Sequence, residues 1–325
     1  MRCLTTFFLS LFLLSMPALA GQLDMISRIK QSPLAVYERA GWAFNKGNYV
    51  EAVNSYRDVA KLGYSPAERD LGRSYLNGSG VKQDYGQAIY WYAAAAEQGD
   101  GEAIKALDAF YQDKEQGQWL HSAINQADAK AEEVLAMLYF WNSDLRKADP
   151  KGEMEWFRKS AEKGDSYSQY MLSLRILELT KPCPKKCLLE SFDWLHKAAE
   201  NGSVQAQFHL GIAYESGKSM GINLGIKRNY SEAAKWYLAA AQHEFPEEGN
   251  VAQDNLGHLY AEGHGVKQSW VEAYFWYSLF TENALAGKDN IDDANEAATH
   301  LTSEQVKAVD QRVLEWKPSP IPAPE

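Results

Sequence analysis

Basic residues and cysteines are few in this chain, and long apolar runs are rare. The 325 residues include 33 lysines and arginines against 43 aspartates and glutamates, a formal net charge of −10, and three cysteines. Nucleic-acid binding draws on clustered lysine and arginine, so the acidic balance argues against DNA or RNA and favours basic or neutral protein partners. Beyond the first twenty residues no stretch is long and apolar enough to span a bilayer, so we expect no membrane span in the mature chain.

Histidine is also sparse, and its spacing matches no familiar metal site. The seven histidines form neither a His-x-x-x-His nor a His-Glu-x-x-His pattern, so metal-dependent hydrolysis is unsupported. We therefore expect no metal ion and no cofactor.

Two Ser-x-x-Lys tetrads match the nucleophile pattern of penicillin-recognising enzymes. They begin at Ser27 and Ser160, and neither is followed by a convincing Ser-Asp-Asn or Lys-Thr-Gly element. Ser160 also occupies the repeat position that Ala95 and Ala240 fill elsewhere, which predicts a packing role. The chain is therefore not expected to be an enzyme.

The first twenty residues have the pattern of a secretory signal peptide. A short positive start precedes an apolar run over residues 7–14, and Ala18-Leu19-Ala20 forms a small-x-small cleavage site. Such a segment is removed during export. We expect a mature chain that starts near Gly21 and works in the periplasm or is secreted.

Two cysteines remain after the signal is removed. Cys183 and Cys187 lie in the proline-containing stretch Lys-Pro-Cys-Pro-Lys-Lys-Cys. An exported chain can keep a disulfide there, and a zinc site would need more ligands than this pair supplies. The sequence predicts a local disulfide.

One short sequence recurs along the chain. Residues 71–83 read Leu-Gly-Arg-Ser-Tyr-Leu-Asn-Gly-Ser-Gly-Val-Lys-Gln, residues 256–268 read Leu-Gly-His-Leu-Tyr-Ala-Glu-Gly-His-Gly-Val-Lys-Gln, and residues 210–217 carry the first half. Self-similarity at a spacing of tens of residues is typical of a stacked repeat array.

Each repeat predicts two amphipathic helices, because its apolar positions recur every three and four residues. The first helix carries Leu-Gly-x-x-Tyr, in which a glycine such as Gly72 lets the partner helix approach closely. The second helix carries two adjacent residues of which at least one is aromatic, called the aromatic pair below. Such a recurring pair is more typical of core packing than of a surface that stacks on carbohydrate. Seven units follow from these pairs: Ser55-Tyr56, Trp91-Tyr92, Trp119-Leu120, Trp156-Phe157, Trp194-Leu195, Trp236-Tyr237 and Trp276-Tyr277.

The predicted organisation has four parts. A signal peptide over residues 1–20 precedes a repeat solenoid over residues 21–282. Capping helices over residues 283–316 close the last apolar face, as an open-ended stack requires. A proline-rich tail over residues 317–325 is expected to be disordered.

The repeats at Leu71 to Gly99 and Leu256 to Tyr277 resemble the Sel-1-like repeat family, relatives of the tetratricopeptide repeats. The resemblance extends over about residues 32–282. The resemblance implies an all-α fold, an α/α solenoid wound as a right-handed superhelix whose first helices line the concave side. It also implies that exported bacterial members are adaptors or scaffolds, some of which act in envelope assembly, polysaccharide export or host-cell contact.

Groove-facing positions follow by analogy with tetratricopeptide arrays. Residues three before and one after the glycine position of a first helix are expected to face the concave side. They are Arg69, Arg73, Glu133, Met137, Tyr170, Leu174, Phe208, Ile212, Asp254 and His258. The apolar members in units four to six predict an exposed binding patch, and the alternative is that neighbouring repeats bury them.

The leading functional hypothesis is a non-catalytic scaffold that binds a peptide or a domain of a partner protein in the concave groove. One alternative is a penicillin-binding or peptidoglycan-acting envelope protein, resembling cysteine-rich members of the family. Another is a polysaccharide-export or host-interaction factor, whose partner would be an envelope or host protein.

Overall fold

A computed structural model describes residues 32–319, apart from 126–127, 150, 181–182, 220–221, 224–225, 244 and 283–287. The predicted signal peptide lies outside these residues. The helices are α1 (Pro33–Asn45), α2 (Tyr49–Ala60), α3 (Ser65–Asn77), α4 (Tyr85–Glu97), α5 (Gly101–Gln112), α6 (Lys114–Asn125), α7 (Ala129–Trp141), α8 (Ser143–Ala148), α9 (Gly152–Glu162), α10 (Ser166–Leu179), α11 (Lys185–Glu200), α12 (Val204–Ser216), α13 (Tyr230–Ala241), α14 (Glu247–Glu262), α15 (Trp270–Glu282), α16 (Lys288–Thr299) and α17 (Ser303–Glu315). Strands β1 (Lys218–Ser219) and β2 (Ile222–Asn223) form an antiparallel hairpin.

Consecutive helices pair into the seven units that the sequence predicts. The pairs are α1–α2, α3–α4, α5–α6, α7–α9, α10–α11, α12–α13 and α14–α15, called units 1 to 7 below. In unit 4 the short helix α8 lies between the two members of the pair. The fold is therefore an all-α solenoid of helix pairs, as expected.

Glycine sets how closely the two helices of a pair approach. A Cβ atom added at Gly211 would lie 2.3 Å from the ring of Tyr237, and one at Gly257 would lie 2.6 Å from the ring of Tyr277. Both rings belong to the aromatic pairs of the second helices, and both are buried. Because no larger residue fits at the glycine position, the glycine and the tyrosine ring together set the distance between the two helices of a pair.

The aromatic pairs form the core of the stack. Trp91, Trp194, Trp236 and Trp276 are all at least nine-tenths buried. Large rings fill the space between neighbouring helices. Their burial confirms the core interpretation for these four residues, while Trp119 and Trp156 are half-buried against the core.

The two irregular connections fall where the sequence departs from the repeat. The hairpin β1–β2 occupies the insertion that joins α12 to α13. Cys183 and Cys187 form a disulfide bond, with their Cα atoms 5.5 Å apart, where the chain enters α11. Both features leave the pairing of the helices intact.

Helices α16 and α17 cover the last repeat. Both pack against α15, and Thr302 begins α17 with a capping box that it shares with Gln305. Ser319, within the segment predicted to be disordered, donates its backbone N–H to the carbonyl oxygen of Gln242 at 2.7 Å. Residues 320–325 lie outside the described residues.

The solenoid curves until early and late repeats touch. The rings of Tyr64, which precedes α3, and Phe245, which precedes α14, lie 5.1 Å apart between centroids. Pro246 lines the same cavity as Ala60 and Lys61. The concave side, where the sequence predicts a groove, therefore includes a small central space between early and late repeats.

Candidate functional site

The turns that join one unit to the next converge on this central space. A cavity of about 270 Å³ lies there and is called the central pocket. It combines turn residues from five of the units with residues of α3, α4, α7, α10 and α12. Its lining includes Lys61, Glu68, Tyr90, Trp91, Glu97, Gln98, Lys130, Gly164, Asp165, Tyr167, Asn201, Ser203 and Pro246.

The turns have a common construction that explains this convergence. Gly164 and Gly202 adopt φ values of 99° and 90°, a left-handed region that favours glycine. The next residue then caps the following helix: the Asp165 side chain accepts from the N–H of Ser168, and the Ser203 hydroxyl accepts from the N–H of Ala206. A polar capping side chain thus recurs on the inner face of these two successive units.

Lys130 is the centre of a charged cluster at the base of the pocket. Its Nζ atom lies 3.0 Å from Glu97 Oε1 and 3.5 Å from Asp165 Oδ2, and it also pairs with Glu133. The three carboxylates come from units 2, 4 and 5, so the cluster joins repeats that are not all neighbours in sequence. The described residues of this cluster thus comprise three carboxyl groups and one ammonium group.

The carboxyl groups of the cluster differ in their protonation state. Burial raises the pKa of Glu133 well above its usual range, and the negative charge of Asp165 adds to the effect. Burial also acts to raise the pKa of Asp165, but Lys130 and hydrogen bonds from Glu133 and Ser168 lower it overall. Asp165 is therefore ionised near neutral pH, while Glu133 favours its protonated form.

Glu68 is a second buried carboxyl group at the pocket. It accepts a hydrogen bond from Gln98 Nε2 at 2.8 Å, and it is only 3% exposed. Burial raises its pKa well above the ordinary value of 4.5, and the negative charge of Glu97 acts in the same direction. A raised pKa means that folding favours the protonated form.

We expect Glu68→Gln to flatten the pH dependence of stability. The contribution of Glu68 is fully present below its unfolded pKa and is lost as the pH rises through the raised folded pKa. Glutamine keeps an acceptor for Gln98 and cannot ionise. Urea unfolding between about pH 5 and pH 8 should show a shallower loss of stability in the variant than in the wild-type protein, and equal slopes would contradict the prediction.

Two tyrosines add aromatic surface and hydroxyl groups to the pocket. Lys130 Nζ lies 5.6 Å from the ring centre of Tyr90, within the range of cation–π attraction. Burial raises the pKa of both Tyr90 and Tyr167. Their hydroxyl groups therefore stay protonated and can act as donors.

Several residues predicted to face the groove are buried. Glu133 is 0% exposed within the charged cluster and Met137 is 1% exposed in the core. Tyr170 is 9% exposed and stacks on His209 of the next first helix, with ring centroids 5.7 Å apart. Adjacent first helices lie too close together to leave these side chains open, so burial by neighbouring repeats is the alternative that holds for them.

The other predicted groove residues are at least partly accessible. Leu174, Phe208 and Ile212 are half-buried against the core. Arg69 donates to Asp100 Oδ2 at 2.8 Å, and Arg73 donates to Asp70 Oδ1 at 2.9 Å. Asp254 and His258 are partly exposed and lie together at the C-terminal end of the solenoid.

The sequence prediction missed the pocket residues Glu68, Glu97, Lys130 and Asp165. A signal for two of them was present, because Glu97 and Asp165 flank the glycines of the turns between units. Within a single repeat, the sequence pattern predicts that such residues are exposed turn residues and helix caps. The curvature of the stack brings them together.

Ser160 is not placed for nucleophilic chemistry. It is fully buried, and its hydroxyl donates to the carbonyl oxygen of Ala129 at 2.8 Å. Lys163, the last residue of the tetrad, pairs with Glu132 on α7. Ser27 lies outside the described residues.

Among the described helices, none combines the length and apolar character needed to cross a membrane. The stacked antiparallel pairs, their glycine turns and the two closing helices together define an α/α solenoid protein. The Sel1 repeat family model matches residues 65–100, 130–165, 166–203, 204–244 and 250–283, which is more than half of the chain. The chain belongs to the Sel1 repeat family, whose members are generally protein-interaction scaffolds and not enzymes.

Two curated relatives resemble part of this chain. Chitin synthase regulator SKT5 of Saccharomyces cerevisiae is 35% identical over 34% of this chain and 15% of its own length. Chitin synthase regulatory factor 3 of Schizosaccharomyces pombe is 25% identical over 70% of this chain and 26% of its own length. This chain thus spans a minor part of both relatives.

A solved structure shares the fold. The crystal structure of a protective antigen from uropathogenic Escherichia coli, which displays an SLR fold, superposes with a TM-score of 0.52 at 24% identity. The match covers 91% of this chain and 63% of the antigen. At this identity the similarity concerns the fold alone.

Proposed function

We propose that this protein is an exported, non-catalytic scaffold that holds a protein partner through the central pocket. The observation that carries the proposal is the excess of carboxyl groups at the point where the turns of several units meet. We propose that the partner inserts a basic side chain, an arginine or a lysine, into this pocket.

The chemistry of the lining favours a cation. Glu68, Glu97 and Asp165 can accept from a guanidinium or ammonium group, and the rings of Tyr90 and Trp91 offer aromatic faces. An arriving positive charge would also offset the burial that raises the pKa of Glu68 and Glu97. Binding of a basic group should therefore be coupled to ionisation of these carboxyl groups.

Two observations support the proposal of export. Residues 1–20 carry the pattern of a signal peptide. Cys183 and Cys187 are bonded as a disulfide, a bond that persists in oxidising compartments. Amino-terminal sequencing of protein from the periplasm or the medium should give Gly21 as the first residue, and an uncleaved chain would contradict this part of the proposal.

A second candidate is a scaffold that works beside a polysaccharide-synthesising or polysaccharide-exporting enzyme. Two fungal relatives are named as regulators of chitin synthase, and these names favour a partner that is itself an enzyme. The two candidates share one contact chemistry and differ only in the identity of the partner.

A pair of matched peptides tests the pocket. We expect a fluorescent Gly/Ser heptapeptide with one central arginine to bind at least tenfold more tightly than the same peptide with citrulline, because citrulline lacks the charge. Glu97→Gln should remove this preference. Glu102→Gln is the control, since Glu102 carries the same charge on an exposed surface of α5.

Fluorescence anisotropy at about 150 mM salt measures both affinities. Equal binding of the two peptides would contradict the proposal. So would an equal loss in the Glu97 and Glu102 variants, because it would mark non-specific attraction to an acidic protein.

A further inference from the structure

Three potential metal ligands meet where the last repeat joins the first capping helix. Asp254 and His258 lie one turn apart on α14, and Asp293 reaches the same place from α16. We propose that Asp254, His258 and Asp293 form a binding site for a divalent transition-metal ion, with Zn²⁺ as the ion that suits them best.

The geometry is close to that of a metal site. His258 Nε2 lies 3.7 Å from Asp254 Oδ2 and 3.9 Å from Asp293 Oδ2, and one ligand atom from each residue falls within 4.8 Å of the others. Zinc binds nitrogen and oxygen at about 2.0–2.2 Å, so ligand atoms in a tetrahedral site lie roughly 3.5 Å apart. The two distances from His258 lie within about half an ångström of that spacing.

Tyr277 orients the imidazole ring. Its hydroxyl group lies 2.8 Å from His258 Nδ1, which leaves Nε2 facing the two carboxylates. Histidines that bind metals generally use the other ring nitrogen in such a hydrogen bond, which fixes the ring. With a metal bound, Nδ1 would carry the proton and its N–H group would donate a hydrogen bond to the Tyr277 hydroxyl oxygen. Nε2 would then be free to bind the metal.

The charges around the cluster also call for a cation. Asp254 Oδ1 is buried and has no hydrogen-bond partner among the described residues. Asp292 and Glu296 on α16 and Glu262 on α14 add negative charge nearby. An unpaired buried carboxylate oxygen is costly unless a proton or a metal ion compensates it.

At another junction a carboxylate is paired with a cation. Between units 2 and 3, Arg69 donates to Asp100 at 2.8 Å. The junction with the capping helix instead places two carboxylates around one imidazole, a set of groups that can bind a metal ion.

The site would join the cap to the solenoid and remain open to solvent. The side chains of His258 and Asp293 are 45% and 35% exposed. Three protein ligands leave at least one position for water or for a ligand from a partner. Metal occupancy would therefore stabilise α16 against α14, independently of what the central pocket binds.

Titration of chelator-treated protein with Zn²⁺ tests the site. We expect calorimetry to show one equivalent bound and the melting temperature to rise. His258→Ala and Asp293→Asn should each weaken binding at least tenfold and abolish the rise. Tyr277→Phe should weaken binding about tenfold, the effect of losing an orienting partner.

His264→Ala is the matched control. His264 lies in the same repeat, is about as exposed as His258 and pairs with Glu262, and its loss should leave Zn²⁺ binding unchanged. Circular dichroism of each variant checks that it is folded, and Asp293→Asn keeps the test available if a variant on α14 does not fold. Absence of binding at millimolar Zn²⁺, binding unchanged in the site variants, or equal loss in the control would each overturn the proposal.

Discussion

Replacing Gly265 with alanine is expected to lower the free energy of unfolding by about 3 kcal/mol. Gly265 adopts a φ of 71°, and a Cβ atom there would lie 2.2 Å from the carbonyl carbon of Tyr230. That neighbour is backbone at the start of α13, so it cannot rotate away. The substitution adds left-handed strain to a clash between two repeats.

Gly99→Ala separates these two effects. Gly99 adopts a similar φ of 82°, but a Cβ atom there would meet nothing within 4 Å. Alanine at this position should cost about 1 kcal/mol, from backbone strain alone. Urea unfolding of both variants gives the comparison, and equal losses would show that the contact with Tyr230 yields easily.

The same contact recurs in another repeat and explains the glycine loop. A Cβ atom at Gly80 would lie 2.4 Å from the carbonyl oxygen of Tyr49, at the start of α2. In both cases the Gly-x-Gly-Val loop of one unit packs on the first residue of the second helix of the preceding unit. The recurring sequence therefore encodes contacts between repeats as well as the pairing within them.

The repeats themselves were predictable because they encode local geometry. Periodicity, the aromatic pairs and Gly72 or Gly257 each report on contacts within a unit, and these predictions are confirmed by burial and close packing. A single sequence is sufficient to predict such features, since every copy of the repeat carries the same packing requirement.

The curvature of the solenoid was not predictable in the same way. It is the sum of small rotations between successive units, which the sequence of any one unit does not specify. The contact of Tyr64 with Phe245, and the burial of Met137 and Tyr170, follow from it. Asp293 was missed for a related reason, since it comes from a capping helix that does not share the repeat.

Replacing Lys130 with methionine is expected to lower the free energy of unfolding by about 3 kcal/mol near pH 8. Lys130 is 23% exposed, Glu133 is fully buried, and Glu97 and Asp165 share the same ammonium group. Methionine preserves most of the packing of the side chain. The loss would therefore come from leaving carboxylates buried without a counter-charge.

The dependence on pH distinguishes a charge effect from a packing effect. The pKa values of Glu97 and Glu133 are raised even with Lys130 present. Without Lys130, burial and mutual repulsion should raise them further and should also raise that of Asp165 above its unfolded value. Their contribution is then present at low pH and is lost as the pH rises through the folded pKa. The deficit of the variant should be small near pH 5 and largest near pH 8, whereas a packing defect would be constant.

Lys105→Met provides the control for charge removal at the surface. Lys105 pairs with Glu102, but both side chains are more than two-thirds exposed, and such pairs contribute little to stability. We expect no measurable change at either pH. A stable Lys130 variant would mean that the buried carboxyl groups are already neutral, and the central pocket would then lack the charge with which we expect it to hold a basic partner.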